Sequence, residues 1–356
     1  MRTRICLLLC AGLMVPAGGR LLAGDARDAS EPSPLAYRVT DLGTLGGDTS
    51  GARSINNRGQ IVGASKLPYS VRMFHACLWD HGKKIDLGAL APQQRQTYSY
   101  ANDINDKGQV VGMLVKPLDN DYLYGANSAH AVLWDHGKVI ELLAGQARTQ
   151  QTQAFAINRA GVIVGQDLGS HPGAFLYATG KLTHLDPGSN LHEEALGIND
   201  AGVIVGSDGK KACLWDHGKK VDLGVNGFAA AINDRGEVVG SGAAGSKPPR
   251  AFRWRNGQFQ DLGTLGGLDS FAYSINASGQ IVGESERSNK DPILQRYAFL
   301  YTDGKMVDLT ALLPPHSGWK LISANHINDR GQIVGSGTLN DVEHAYLLTP
   351  VSSGSR

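Results

Sequence analysis

The sequence has little of what usually announces a function. Four cysteines in 356 residues are too few for a disulfide-dense scaffold, and two of them, Cys6 and Cys10, fall in an apolar leader. Charge of one sign is lacking: 34 basic residues against 33 acidic ones leave a formal +1, which is no footprint for nucleic acid. The longest apolar run, Ile5–Val15, has 11 residues, short of the roughly 20 that a membrane-spanning helix needs. No phosphate loop, zinc-protease helix or nucleophile elbow is found. Glycine is the abundant residue, with 46 copies, roughly twice the usual ~7%. They follow no collagen-like period, so many tight turns are expected.

Residues 1–24 have the form of a secretory signal peptide. Arg2 and Arg4 give a positive start, the apolar run follows, and small residues lie around Ala17 and Ala23–Ala26. Leu9 before Cys10 is not small, which argues against a lipoprotein site. Removing the leader takes three arginines and no acids, so the formal charge falls to −2. The expected organisation is a signal peptide at 1–24, a linker at 25–36, a repeat domain at 37–350 and a tail at 351–356.

Self-comparison finds Ala-x-x-Ile-Asn-x-x-Gly seven times, with the asparagine at Asn56, Asn105, Asn158, Asn199, Asn233, Asn276 and Asn328. Their spacings are 49, 53, 41, 34, 43 and 52 residues. A β-rich run ending in glycine follows each copy, as in Gln60-Ile-Val-Gly63. A third run follows a variable loop, as in Ala76-Cys-Leu-Trp79, and a tight turn such as Asp80-His-Gly82 leads to a fourth, as in Ile85-Asp-Leu-Gly88. Four strands in about 45 residues is the arithmetic of a propeller blade. The seventh unit lacks its fourth strand, while an orphan copy, Tyr37-Arg-Val-Thr-Asp-Leu-Gly43, stands ahead of the first. The expected fold is an all-β, seven-bladed β-propeller of 28 antiparallel strands, closed by the N-terminal strand docking into the last blade.

The stretches Asp41-Leu-Gly-Thr-Leu-Gly-Gly47 and Asp261-Leu-Gly-Thr-Leu-Gly-Gly267, with His75-Ala-Cys-Leu-Trp79 and His130-Ala-Val-Leu-Trp134, resemble the HAF-repeat family of extracellular bacterial repeat proteins. The resemblance spans residues 37–349. It implies secretion and a repeat fold, and no activity. Units three to six carry Gly173, Lys211, Arg250 and Tyr297 in place of the histidine, so histidine is not required for the fold.

Most recurring residues read as scaffold: asparagine and glycine for the turn, alanine for close strand approach. The tryptophans are expected to fill gaps between blades. Cys77 and Cys213, at one equivalent position in distant units, are expected to be buried free thiols. His81, His136 and His217 read as exposed turn residues of separate blades, so no metal or other cofactor is expected.

A site is sought where the units differ. Two residues before the repeated isoleucine stand Arg53, Asn102, Phe155, Leu196, Ala230, Tyr273 and Asn325; one residue before it stand Ser54, Asp103, Ala156, Gly197, Ala231, Ser274 and His326. Units seven, one and two are polar there, which predicts a polar sector at the hub mouth, beside the long loops 64–74, 113–128 and 284–296. The ligand-binding candidates are Arg53, Asn102, Asp103, Tyr273, Asn325 and His326, with His326 and Asp103 the catalytic candidates if the protein is an enzyme. The leading expectation is a secreted or periplasmic monomer that binds or scaffolds an extracellular ligand or protein partner through the long-loop face, with loop tyrosines such as Tyr69, Tyr98, Tyr122 and Tyr124 as contacts. The alternative is a lyase or hydrolase at the hub mouth. Amino-terminal sequencing of the exported protein is expected to start near Asp25; an intact leader on the exported chain would refute the processing.

Overall fold

Alternating β-branched runs separated by glycine turns produce strands throughout. The computed structural model describes residues 36–68, 73–88, 98–117, 127–143, 151–169, 172–187, 192–243, 248–287 and 295–351. The leader, Tyr69, Tyr122, Tyr124 and parts of the three long loops lie outside the described residues.

An initial strand β1 (Tyr37–Asp41) precedes the repeats. Unit one holds β2 (Ser50–Ile55), β3 (Ile61–Lys66), β4 (Phe74–Asp80) and β5 (Lys83–Asp86). Unit two holds β6 (Tyr98–Ile104), β7 (Val110–Pro117), β8 (Asn127–Asp135) and β9 (Lys138–Glu141); unit three holds β10 (Thr152–Ile157), β11 (Ile163–Asp167), β12 (Gly173–Ala178) and β13 (Lys181–His184). Units four and five are β14 (Glu194–Ile198), β15 (Ile204–Ser207), β16 (Lys211–Asp216), β17 (Lys219–Ile232), β18 (Val238–Ala243), β19 (Arg250–Arg255) and β20 (Gln258–Asp261). Unit six is β21 (Ser270–Ile275), β22 (Ile281–Glu286), β23 (Arg296–Thr302) and β24 (Lys305–Asp308), and unit seven is β25 (Trp319–Ile327), β26 (Ile333–Leu339) and β27 (Val342–Pro350).

The fold is all-β and propeller-like, built from antiparallel sheets of four strands in sequence order. β1 pairs antiparallel with β27, Val39 opposite Leu348, and so supplies the fourth strand that unit seven lacks. The expectation of 28 strands needs one correction. β17 is a single 14-residue strand that serves as the last strand of unit four and the first of unit five, joining them in a seven-stranded sheet. These two units have the shortest repeat spacing, 34 residues, which leaves no chain for a loop between them. The outer strands β5, β9, β13, β20 and β24 have four residues each. All but β20 open on lysine, and short lysine-bearing edges resist pairing with other chains.

Within each unit the third-strand alanine and the tryptophan or its replacement, three residues apart, face opposite sides of the sheet, and the apolar cores lie between successive units. Trp134 packs with Val62 and Ala76 of unit one, and its Nε1 donates to Leu87 O. Trp215 packs with Val164 and Ala174 of unit three. Ala52, Ile55 and Trp79 of unit one pack with Val334 and Ala345 of unit seven. Cys77 and Cys213 are free and buried, at the position held by Phe175 and Phe252 in other units. Burial pushes both thiols up to about 12, so they act as small apolar groups.

The turn asparagines do more than the local pattern indicates. Asn56 Oδ1 accepts from the backbone N–H groups of Arg58 and Gln60, while its Nδ2 donates to Gln60 Oε1 and, across the unit boundary, to Asn105 O. The same inter-unit donation runs from Asn105 to Asn158, then to Asn199, Asn233, Asn276 and Asn328, and from Asn328 back to Asn56, at 3.0–3.3 Å. A second tie joins the third-strand alanine N–H to a hydroxyl of the next unit: Ala76 to Ser99, Ala131 to Thr152, Ala251 to Ser270 and Ala345 to Ser50. The repeated Asp-Leu-Gly-Thr-Leu-Gly-Gly stretch is a connector. In both copies the threonine hydroxyl, Thr44 or Thr264, bridges the turn to the last glycine carbonyl. A serine of the next first strand, Ser50 or Ser270, donates to the carbonyl of the first glycine.

Asn105 is buried and fully bonded. Asn105→Ala is expected to lower the unfolding free energy by about 3 kcal/mol, since buried backbone groups lose their partners. Asn105→Asp, which keeps the acceptor oxygen, should cost less. Urea unfolding midpoints check both.

Candidate functional site

Every first strand carries a register shift at the same place, between Ala52 and Ser54 in unit one and between Ala101 and Asp103 in unit two, and likewise in the other five. A bulge leaves one residue unpaired and turns its side chain out of the sheet's alternation. The seven residues so released are Arg53, Asn102, Phe155, Leu196, Ala230, Tyr273 and Asn325, and all seven line a single cavity of about 740 Å³. The bulge also explains the glycine that ends each Ile-Val-Gly run. A Cβ on Gly63 would stand 2.1 Å from Gly51 O, and one on Gly206 would stand 1.8 Å from Glu194 O. Only a residue without a side chain admits the bulged backbone.

The cavity has an aromatic wall and few charges. Phe74 and Tyr100, from units one and two, stack with ring centres 6.3 Å apart; Phe228 of unit five lies stacked on Phe271 of unit six at 6.4 Å. Phe155 and Tyr273 complete the wall. Glu284 reaches the cavity from β22, where it bonds the Tyr273 hydroxyl and forms an ion pair with Arg296 at 3.1 Å. Arg296 also binds Asp269 at 3.0 Å and lies 4.5 Å from the Phe271 ring centre, so its charge is balanced by two carboxylates. Burial raises the carboxyls of Glu284 and Asp269, opposed by Arg296, and burial raises the Tyr273 phenol. Arg53 differs. Its head is open to the cavity, and it has no hydrogen bond or ion pair among the described residues. The surrounding protein still withdraws enough water to lower its pKa, which the phenol of Tyr100 opposes.

The other candidates fall into two roles. Asn102 Nδ2 donates to Ala154 O and Asn325 Nδ2 to Ala52 O, so each amide ties its strand to the next unit while the residue lines the cavity. Asp103 and His326 lie deeper, in a neck of about 200 Å³ that Arg53 and Tyr273 also border. Asp103 Oδ1 accepts from Ser54 Oγ and Ile104 N, and Oδ2 from Ile157 N; both oxygens are engaged in holding units one, two and three together. His326 bonds the backbone of Ile55, and its Nδ1 is buried without a partner. No hydrogen bond joins it to Asp103 among the described residues, though the Asp103 charge acts on it.

Beyond the neck a smaller space of about 220 Å³ is bordered by the turns, including Asp106, Asp200, Asp234 and Asp329. These carboxylates accept backbone N–H groups of the preceding units: Asp106 from Asn57, Asp200 from Arg159, Asp234 from Asp200 and Asp329 from Ala277. The turn histidines His81, His136 and His217 are 79–84% exposed in their side chains and have φ near +48° beside a left-handed glycine, as two-residue hairpin turns require. The histidines of the His-Ala elements pair with acids of the neighbouring strand, His75 with Asp86 at 2.9 Å and His344 with Asp41 at 3.0 Å. Lys211 does the same with Asp222 in unit four, which is why histidine is replaceable there.

Of the loop tyrosines only Tyr98 is described, and it is half-buried on β6. The aromatics that gather at the mouth are instead Phe74, Tyr100 and Phe228, which the comparison of units did not single out. Tyr100 and Phe228 each precede the repeated alanine by one residue, a column that would have disclosed them.

Burial lowers the His326 pKa below the usual 6.5, against the pull of Asp103 and Asp329. The unfolded chain therefore takes up a proton near pH 6.5 while the folded one resists it, so this contribution to stability is present above pH 6.5 and is lost as the pH falls. The drop in melting temperature between pH 7.5 and 5 is expected to be smaller in His326→Gln than in the parent. An equal drop in both would refute the assignment.

A family model described as "Protein of unknown function (DUF3466)" matches residues 139–346. No curated protein matches the sequence. Among solved structures the chain is similar to a puromycin-hydrolyzing peptidase of Mycobacterium tuberculosis, with a TM-score of 0.52 and 13% identity over 91% of this chain and 55% of that one. It is also similar to TolB from Acinetobacter baumannii, with a TM-score of 0.44, 14% identity and coverage of 83% of this chain and 81% of that one. A third similarity is to an acylaminoacyl peptidase of Pyrococcus horikoshii, with a TM-score of 0.46, 12% identity and coverage of 74% and 45%. The chain thus spans about half the length of either peptidase, and the likeness is one of fold.

Proposed function

The chain belongs to the DUF3466 family, and we propose that it is a secreted, HAF-like seven-bladed propeller, closed by β1, that binds an extracellular ligand in the hub cavity. Seven cyclic asparagine donations and the pairing of β1 with β27 support closure. The leader-like sequence of residues 1–24 supports export.

The observation that carries the binding reading is the cavity itself. Its volume falls within the range of small-ligand pockets, and an apolar wall with a few convergent polar groups is their usual composition. The seven positions that line it are the ones that differ most between units otherwise held alike, and their side chains are not needed to build the bulge. Ala64, Phe74 and Glu284, close to the strand ends that flank two of the long loops, line the cavity, which supports the long-loop face as the binding face. A hydrolase or lyase reading finds less support, because both oxygens of Asp103 are engaged and His326 bonds the backbone.

A thermal-shift panel of glycans, polyanions, calcium and EDTA tests this reading. Ligand at 100 times its dissociation constant adds about 2.7 kcal/mol to the folded state, a visible rise in melting temperature. The rise should vanish in Tyr100→Ser and Phe228→Ser. A rise that survives in both places the site elsewhere, and no rise with any ligand favours a scaffolding role.

A further inference from the structure

The two arginines near the mouth differ in one respect. Arg296 is ion-paired with Glu284 and Asp269 and lies against the Phe271 ring, whereas Arg53 presents a planar fork of donors to the cavity with no protein acceptor among the described residues. A guanidinium held on a strand, partly withdrawn from water and unpaired, matches a carboxylate in charge and in bidentate geometry. The same cavity is lined by the aromatic rings of Tyr100, Phe155, Phe228 and Tyr273, which suit a flat ring with an apolar face. The remaining polar groups narrow the choice of ring. Glu284 and Glu343 border the same space, and a purely aromatic acid would strip water from them and return no hydrogen bond. Hydroxyl groups on the ligand would donate to them.

We propose that the hub cavity takes a sugar ring bearing a carboxylate, a uronate unit of an acidic polysaccharide, with its carboxylate on Arg53, its apolar face on the aromatic wall and its hydroxyls on the glutamates. This rests on the reading of the hub as a binding site and adds the chemical class of the ligand. Glu343 lies exposed at the rim, where its charge opposes an incoming anion. Arg53 therefore sets preference for the acid, and Glu343 moderates it.

Isothermal titration of the purified chain with a galacturonate trisaccharide, the neutral galactose trisaccharide and benzoate tests the proposal. The uronate is expected to bind at least tenfold more tightly than the neutral sugar, and more weakly as salt screens the contact. Arg53→Gln should bring the two sugars to within about twofold of each other and Arg53→Lys should retain part of the preference, with thermal melts confirming that both variants fold. Glu343→Gln should tighten uronate binding two- to threefold, whereas a ligand that itself carried positive charge would bind more weakly. If both sugars bind alike in the parent and both are lost in Phe228→Ser, the hub site stands and the uronate assignment fails. Benzoate binding as tightly as the uronate would overturn the sugar half of the assignment. No heat with any of the three overturns the uronate assignment, and the hub reading falls with it if Phe228→Ser also leaves the wider thermal-shift panel unchanged.

Discussion

An asparagine that closes a turn with its carbonyl oxygen still has an amide to place, and here that amide crosses to the backbone of the same residue in the next unit. The donation requires neighbouring turns to stand at one distance and one tilt, so a local turn preference becomes a rule for stacking sheets. All seven asparagines are buried, and a buried amide left unpaired is costly. That cost is what makes the arrangement cooperative: a unit displaced from its neighbours loses the amide donation it makes to the next unit and the one it receives from the unit before it. The alanine-to-hydroxyl ties repeat the device nearer the wide end.

With the turns fixed at one end, the bulges shape the other. The same register shift recurs in all seven first strands, and the facing glycine recurs because the carbonyl two residues before the unpaired position occupies the space a side chain would need. The two features form one unit of structure. The bulge aims one residue per unit at the cavity, and the identity of that residue is left free. Uniform backbone and variable side chains allow a symmetric scaffold to carry an asymmetric cavity: apolar on Phe155, Leu196 and Ala230, polar on Arg53, Asn102 and Asn325.

Electrostatics in the hub follow from how each ionisable group is partnered. Asp103 is saturated by hydrogen-bond donors from three units and works as a fastener. His326 sits beside it without bonding it, and burial favours its neutral form. Glu284, Asp269 and Arg296 compensate one another. Among the described residues Arg53 faces the cavity with its positive charge unpaired by an acid, and that contrast gives the site its polarity.

The repeat count, the strand order within a unit, the complementary odd strands at the two ends and the variable columns at the hub could be read from the sequence, because each is a local pattern repeated often enough to be recognised. The buried thiols and exposed turn histidines were readable for the same reason. Which variable residues do chemistry and which hold neighbours was not, since Asn102, Asn325 and Asp103 find their acceptors and donors on strands more than 40 residues away in sequence. The fusion of two expected strands into β17, the Phe74–Tyr100 and Phe228–Phe271 stacks and the isolation of Arg53 also arise between units. Periodicity determines what each unit becomes; only the packing of units decides which polar groups meet a partner and which face the cavity.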